Sequence, residues 1–250
     1  MKNIAFILSL LCATLIAQSS VSPSSPIKEL PLLHPKLGTH KSYTPKEQLK
    51  WEKAIRQLYA SEGNYSIYAN LPTTEKELVD SLEMGYGPIT EGVACSWYCG
   101  GGPDTVYASS CLPPQGTNTY GCENIHDFNL LTPWAISGKD AIGQTISFRF
   151  APFSPRINTI VIWNGYIKNK KLWKDNSRVA KFKLLINDKP TAILALEDVD
   201  NTQSFEIQPI HSTDSLKPLI LTLEIAEIYR GNKYNDVVVS EINFDGLDVH

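Results

Sequence analysis

Gln144-Thr145-Ile146-Ser147-Phe148-Arg149-Phe150 alternates apolar with polar side chains at every second residue. Only an extended chain puts such residues on opposite faces, so this stretch predicts a strand with one buried and one wet face. The same period returns in Phe182, Leu184 and Ile186, in Phe205 and Ile207, in Leu219, Leu221, Leu223 and Ile225, and in Val238, Ile242 and Phe244. Ile157 to Trp163 and Thr191 to Leu196 are more continuously apolar and suit central strands. Seven or eight short strands, separated by turn residues, predict an all-β fold: an antiparallel sandwich beginning near Val93.

Upstream of Val93 the period becomes helical. Thr44-Pro45-Lys46-Glu47 has the form of a capping box, and Trp51, Ile55, Leu58 and Tyr59 then share one face up to Gly63. Thr74-Glu75-Lys76-Glu77 repeats the pattern before Leu78, Val79, Leu82 and Gly85. Each helix is too short to stand alone, so the pair should dock on the sandwich as a small N-terminal helical extension. Residues 20–43, rich in Ser and Pro, read as a flexible tether. Met1-Lys2-Asn3 followed by the apolar run Ile4 to Ala17 has the form of an export signal, with cleavage expected after Ser19 and Ala17 the close alternative. Leu10 and Leu11 before Cys12 argue against a lipid anchor. The expected organisation is therefore a signal peptide at 1–19, a tether at 20–43, a helical extension at 44–92 and a sandwich at 93–250.

The 250 residues are 42% apolar and 20% charged, a globular composition, and their net charge of -3 offers no footprint for a nucleic acid or an anionic membrane. No apolar run after the signal approaches the length of a membrane span. Four of the five cysteines, Cys95, Cys99, Cys111 and Cys122, crowd one loop-rich stretch. In an oxidising compartment they predict two disulfides of undetermined pairing; a four-thiolate zinc site would want two close pairs, and only Cys95 and Cys99 are close.

Ala108-Ser109-Ser110, Asn124 to Asn129, Thr132-Pro133-Trp134 and Gly143 to Ile146 resemble the opening of a discoidin or coagulation-factor type C domain. More specifically, Asn164-Gly165-Tyr166, Trp173 to Arg178, Tyr229 to Asp236 and Ser240 to Phe244 resemble the NADase-type glycan-binding domain, a jelly-roll module named from the N-terminal part of a bacterial NAD glycohydrolase toxin. The resemblance spans residues 93–250 and implies a glycan or glycoconjugate partner. It does not imply NAD cleavage, because the toxin's chemistry belongs to a domain that follows the module, and here the motifs run to Phe244 of a chain ending at His250.

Sugar recognition needs a flat apolar face for the pyranose C–H side, flanked by groups that pair with hydroxyls. Tyr166, Trp173, Asn176 and Arg178, with Trp163 at the strand end, supply both and are the candidate glycan-binding residues. The competing reading has Trp163 and Trp173 covering the open end of the sandwich and Arg178 paired with a nearby carboxylate. Trp134 reads as core. Asp127, Asn129, Thr132 and Glu241 are oxygen donors suited to a calcium ion, which discoidin-like carbohydrate modules hold in the corresponding early loop; Phe128 stands where that loop commonly has glycine. No cofactor is required, and calcium, if held, is structural.

No catalytic residues are assigned. His126 and Asp127 are adjacent and point to opposite sides of an extended chain. Gly100-Gly101-Gly102-Pro103 lacks the Lys-Ser or Lys-Thr of a phosphate loop, and Glu197, Asp198 and Asp200 read as a hairpin tip. The expectation is an exported, non-enzymatic glycan binder, secreted, periplasmic or at the cell surface. A structural or protein-interaction module of the envelope and an enzyme with an unrecognised site are the alternatives; oligomeric state is not legible.

Overall fold

The structure is a computed structural model that describes residues 29–39, 43–84, 87–90 and 97–249. Its strands are β1 (Leu32–Leu33), β2 (Lys36–Leu37), β3 (Thr105–Ala108), β4 (Trp134–Ile136), β5 (Thr145–Phe150), β6 (Ile157–Asn164), β7 (Arg178–Ile186), β8 (Lys189–Ala195), β9 (Gln203–Ile210), β10 (Leu219–Tyr229) and β11 (Val237–Gly246). They form two facing sheets, ordered β1-β8-β7-β10-β5-β3 and β2-β9-β6-β11-β4. All pairs are antiparallel except β1 with β8. This is an antiparallel-rich sandwich, as the alternation predicts.

Register explains the core. Leu221 lies opposite Phe148 and Leu223 opposite Ile146, so one face of the β10–β5 pair is wholly apolar. Across the gap, the Phe244 ring of β11 meets Phe148 and Phe150 edge-on, at centroid distances of 4.8 and 5.1 Å. Such pairs add about 0.5–1.5 kcal/mol each beyond burial and join the two layers. Trp134 is fully buried and donates its Nε1–H to Ser110 O at 3.0 Å.

β6 takes the central position expected of it, but β8 lies next to an edge, covered only by β1. The stretch read as part of a tether contributes β1 and β2, which sit on opposite sheets: Leu33 opposite Leu194 and Lys36 opposite Ser204. This strap covers the outer edges of β8 and β9, whose backbone groups would otherwise be unpaired.

The helices are α1 (Pro45–Ser61), α2 (Tyr65–Ala69), α3 (Thr73–Glu83) and, within the sandwich, α4 (Lys170–Asp175). The capping box of α1 forms as expected, with Thr44 and Glu47 exchanging bonds. The box expected at Thr74 does not: α3 begins two residues earlier, at Thr73, and its N-cap is Pro72, with no side-chain cap. Ala54, Ile55 and Leu82 close over Leu131 of the sandwich, which docks the extension. Among the described residues no helix is long and apolar enough to cross a membrane.

The expected pair of disulfides is not formed, since Cys111 and Cys122 are both free thiols. Their loop is held instead by Leu112 N–H to Ala135 O at 2.8 Å and by Cys122 Sγ to Val106 O at 3.7 Å. Cys95 and the export signal at 1–19 lie outside the described residues.

Candidate functional site

The segment from β6 to β7 shapes one end of the sandwich. Asn164 is buried and uses its side chain as a strand would, donating to Val179 O at 2.7 Å and accepting from Val179 N at 3.2 Å. Gly165 follows at φ +88°, a turn that favours glycine. Asn169 caps α4 by accepting from Leu172 N at 2.9 Å. That short helix, in a stretch read as a polar loop, turns Trp173 inward, where its Nε1–H donates to Asn164 O at 3.0 Å.

The five candidate glycan residues therefore separate into two groups. Trp173 packs with Leu130 and Ile167, and half-buried Trp163 lies against them. Arg178 is buried, stacks on Trp173 and pairs with Asp198 through Nε at 2.7 Å and Nη2 at 3.0 Å. Asp198 and Asp200 are thus clamps on this end, to Arg178 and Lys170, rather than a free hairpin tip. Tyr166 and Asn176 instead line a cleft of about 530 Å³. Asn176 commits its Nδ2 to Leu172 O at 2.9 Å, and its Oδ1 accepts nothing among the described residues. The Tyr166 hydroxyl has no hydrogen-bond partner among the described residues, although the residue is only 7% exposed.

Three further contributors escape the sequence reading. Tyr120 and Tyr234 add aromatic faces beside Tyr166, and Asp236 adds a carboxylate. Tyr234 and Asp236 belong to the quoted Tyr229-to-Asp236 motif, which was the available signal. Their loop is pinned to the end of α4 by Tyr234 N–H to Asp175 O at 2.7 Å. An adjoining hollow of about 610 Å³ shares Tyr166 and Lys168 with the first and takes its other wall from Glu52, Arg56 and Tyr59 of α1. Lys168 pairs with Glu52 at 2.7 Å, and Asn169 Nδ2 donates to Gln48 Oε1 at 3.1 Å. Burial alone would raise the Glu52 carboxyl, but Lys168 and Gln48 outweigh it and hold it below the usual range. Burial, then the neighbouring Tyr120 and Glu52, pushes the Tyr166 phenol well above 10, so it stays a neutral donor.

The four expected calcium donors converge at a second centre. Asp127 Oδ1 accepts from Asn129 N at 2.9 Å and Oδ2 from Thr132 Oγ1 at 2.6 Å, while Asn129 Oδ1 accepts from Leu131 N at 3.1 Å. Glu241 is fully buried on β11, close enough to Asp127 that the Asp127 charge acts on its carboxyl. Burial pushes Asp127 up to about 7; burial and then the Asp127 charge push Glu241 well up. With the Asn243 amide nitrogen facing the carboxylate, that side chain donates to Glu241 Oε1 at 3.0 Å. Glu241 Oε2 remains buried without a partner. An all-oxygen donor set with one orphaned carboxylate oxygen fits a hard cation. The set rests on amide and hydroxyl groups as well as acids: among the described residues no three His, Cys, Asp or Glu side chains form a metal cluster.

His126 is not a free base. It is buried, its Nδ1 bonds Ile242 O at 2.8 Å, and burial lowers its basicity.

A discoidin-like sandwich with a polar, aromatic cleft at its loop end is the class these features define. The chain belongs to the family described as the NAD glycohydrolase translocation F5/8 type C domain, which residues 97–245 match. Among solved structures it is similar to the family 32 carbohydrate-binding module from Streptococcus pneumoniae EndoD, at 11% identity and TM-score 0.43 over 58% of this chain and 97% of that one. It is also similar to the family 32 module from Clostridium perfringens NanJ in complex with galactose, at 18% identity and TM-score 0.39 over 56% and 91%. A third similar structure, from Clostridium perfringens in complex with GalNAc-β-1,3-galactose, has 13% identity and TM-score 0.41 over 56% and 94%. No curated protein matches the chain.

Proposed function

We propose that this chain is an exported, non-catalytic carbohydrate-binding module that seats a sugar in the cleft around Tyr166. The observation that carries the reading is the Tyr166 hydroxyl, which lines the cleft with no hydrogen-bond partner among the described residues and is free to donate. Water satisfies it in the empty cleft, and a sugar hydroxyl would exchange that water for a direct hydrogen bond worth about 0.5–1.5 kcal/mol. Tyr120 and Tyr234 offer ring faces for a pyranose, and Asn176 Oδ1 and Asp236 offer acceptors. Trp163, Trp173 and Arg178 act at one remove, as the plug that positions Tyr166 and Asn176. Calcium held by Asp127, Asn129, Thr132 and Glu241 would be structural: its charge would favour both carboxylates in ionised form and fix the loop beneath the cleft.

A glycan array probed with the full chain, repeated with Tyr166→Ala and Asn176→Ala, tests the reading. Binding should fall about tenfold or more in both variants while their circular dichroism is unchanged. An array without a bound glycan, or binding indifferent to both substitutions, overturns it.

A further inference from the structure

The two hollows that meet at Tyr166 and Lys168 carry opposite unpaired charges. In the first, Asp236 is half-buried and makes no ion pair among the described residues. In the second, Arg56 of α1 is exposed on the wall and likewise makes no ion pair among the described residues. Lys168, between them, is already neutralised by Glu52 at 2.7 Å. Among the described residues the cation of the second hollow outside an ion pair is thus Arg56, whose charge also reaches Glu52, and the hydroxyl side chains of Thr117 and Thr119 line the same hollow.

Volume and adjacency bear on what fits. The hollows measure about 530 and 610 Å³, each within the range of a small-molecule site, and they share Gln48, Asn118, Tyr166 and Lys168 as lining. One sugar in the first would leave the second wet. A guanidinium is the side chain best matched to a carboxylate, through two parallel N–H···O bonds. Threonine hydroxyls can take up the remaining hydroxyl groups of the same ring. The first hollow, with ring faces and a carboxylate acceptor, suits an uncharged sugar.

Resting on the carbohydrate reading above, we infer that the site is selective for an acidic oligosaccharide, with an uncharged sugar beside Tyr166 and a carboxylate-bearing sugar on Arg56. The helical extension is then part of the binding site, held in place by the Glu52–Lys168 and Gln48–Asn169 contacts.

Titration calorimetry on the full chain tests this with two matched pairs, each joining one acidic sugar to neutral ones: 3'-sialyllactose against lactose, and glucuronosyl-xylobiose against its methyl ester. The acidic member of at least one pair should bind about tenfold tighter, and Arg56→Gln should narrow that gap to about twofold or less with an unchanged melting temperature. Equal affinity within both pairs, a preference that survives Arg56→Gln, or an array whose bound glycans are all neutral overturns the acidic selectivity and leaves carbohydrate binding standing. Failure of all four probes together with an empty array removes the carbohydrate reading, and this inference with it.

Discussion

Arg178 lies over the face of Trp173, its guanidinium carbon 4.3 Å from the ring centroid, and Nη1 of the same guanidinium donates to Trp173 O at 3.1 Å and Asn176 O at 2.8 Å. One buried side chain therefore fixes the end of α4, the start of β7 and the backbone of a cleft residue.

Arg178→Ala strands those two carbonyl groups and removes the stack. The ion pair itself contributes little, because the Asp198 side chain is 42% exposed and solvent screens it. The orphaned carbonyls and lost packing should lower stability by about 2–4 kcal/mol, read from urea denaturation. Arg178→Lys should recover less than half of that, since an ammonium cannot reproduce the planar fork. Wild-type stability in either variant refutes this assignment.

Gly165→Ala should disturb the same plug from the other side. At φ +88° an added Cβ sits 2.7 Å from Trp173 Cδ1 and 2.8 Å from Arg178 Cγ. Left-handed strain and overpacking each cost about 1–3 kcal/mol. The variant should lose more than about 2 kcal/mol and show a changed tryptophan fluorescence; a silent substitution would mean the turn is looser than described.

The long strands were legible because alternation survives in them: Ile146, Phe148 and Phe150 face inward as their spacing demands. β1 and β2 were not, because two residues carry no period. Trp173 and Arg178 could be read as a wet aromatic loop since α4 spans under two turns, too few to reveal which face is apolar. Tyr120, Tyr166 and Tyr234 lie far apart in the chain, and the β6, β4 and β11 neighbourhood brings them together. The early loop departs from glycine at Phe128. Phe128 does adopt φ +60°, the conformation glycine favours, and its ring packs on Tyr98 at 5.0 Å and His126 at 4.9 Å. That packing offsets a backbone cost of about 1–2 kcal/mol.

Calcium should raise the melting temperature. A cation beside Asp127 and Glu241 would turn two carboxyls that burial pushes toward the neutral form into favourable partners. At a hundredfold excess over Kd the linkage is worth about 2.7 kcal/mol, a shift of several degrees in calorimetry against a chelated control. Glu241→Gln keeps the shape, removes one charge and should abolish the response, with a metal-free melt no lower than wild type. Coincident melts with calcium and with excess chelator reject the metal site.

Alkaline pH should weaken the fold through Tyr166. Its folded-state phenol is pushed well above the ordinary value of 10, first by burial and then by the Tyr120 and Glu52 charges. Tyr43 is likewise pushed up to about 12 by burial and then by Glu47. Once pH passes about 10 the unfolded chain releases protons that the folded chain keeps, so the folded state binds more protons and stability declines as pH climbs. The slope approaches about 1.4 kcal/mol per pH unit for each such tyrosine. Below about pH 9 both states are protonated and the contribution vanishes. Tyr166→Phe deletes its share, so urea midpoints from pH 8 to about 11 should fall less steeply in the variant. Superimposable profiles would mean that Tyr166 ionises in the folded protein as it does in water, and the cleft would then be far wetter than its 7% exposure implies.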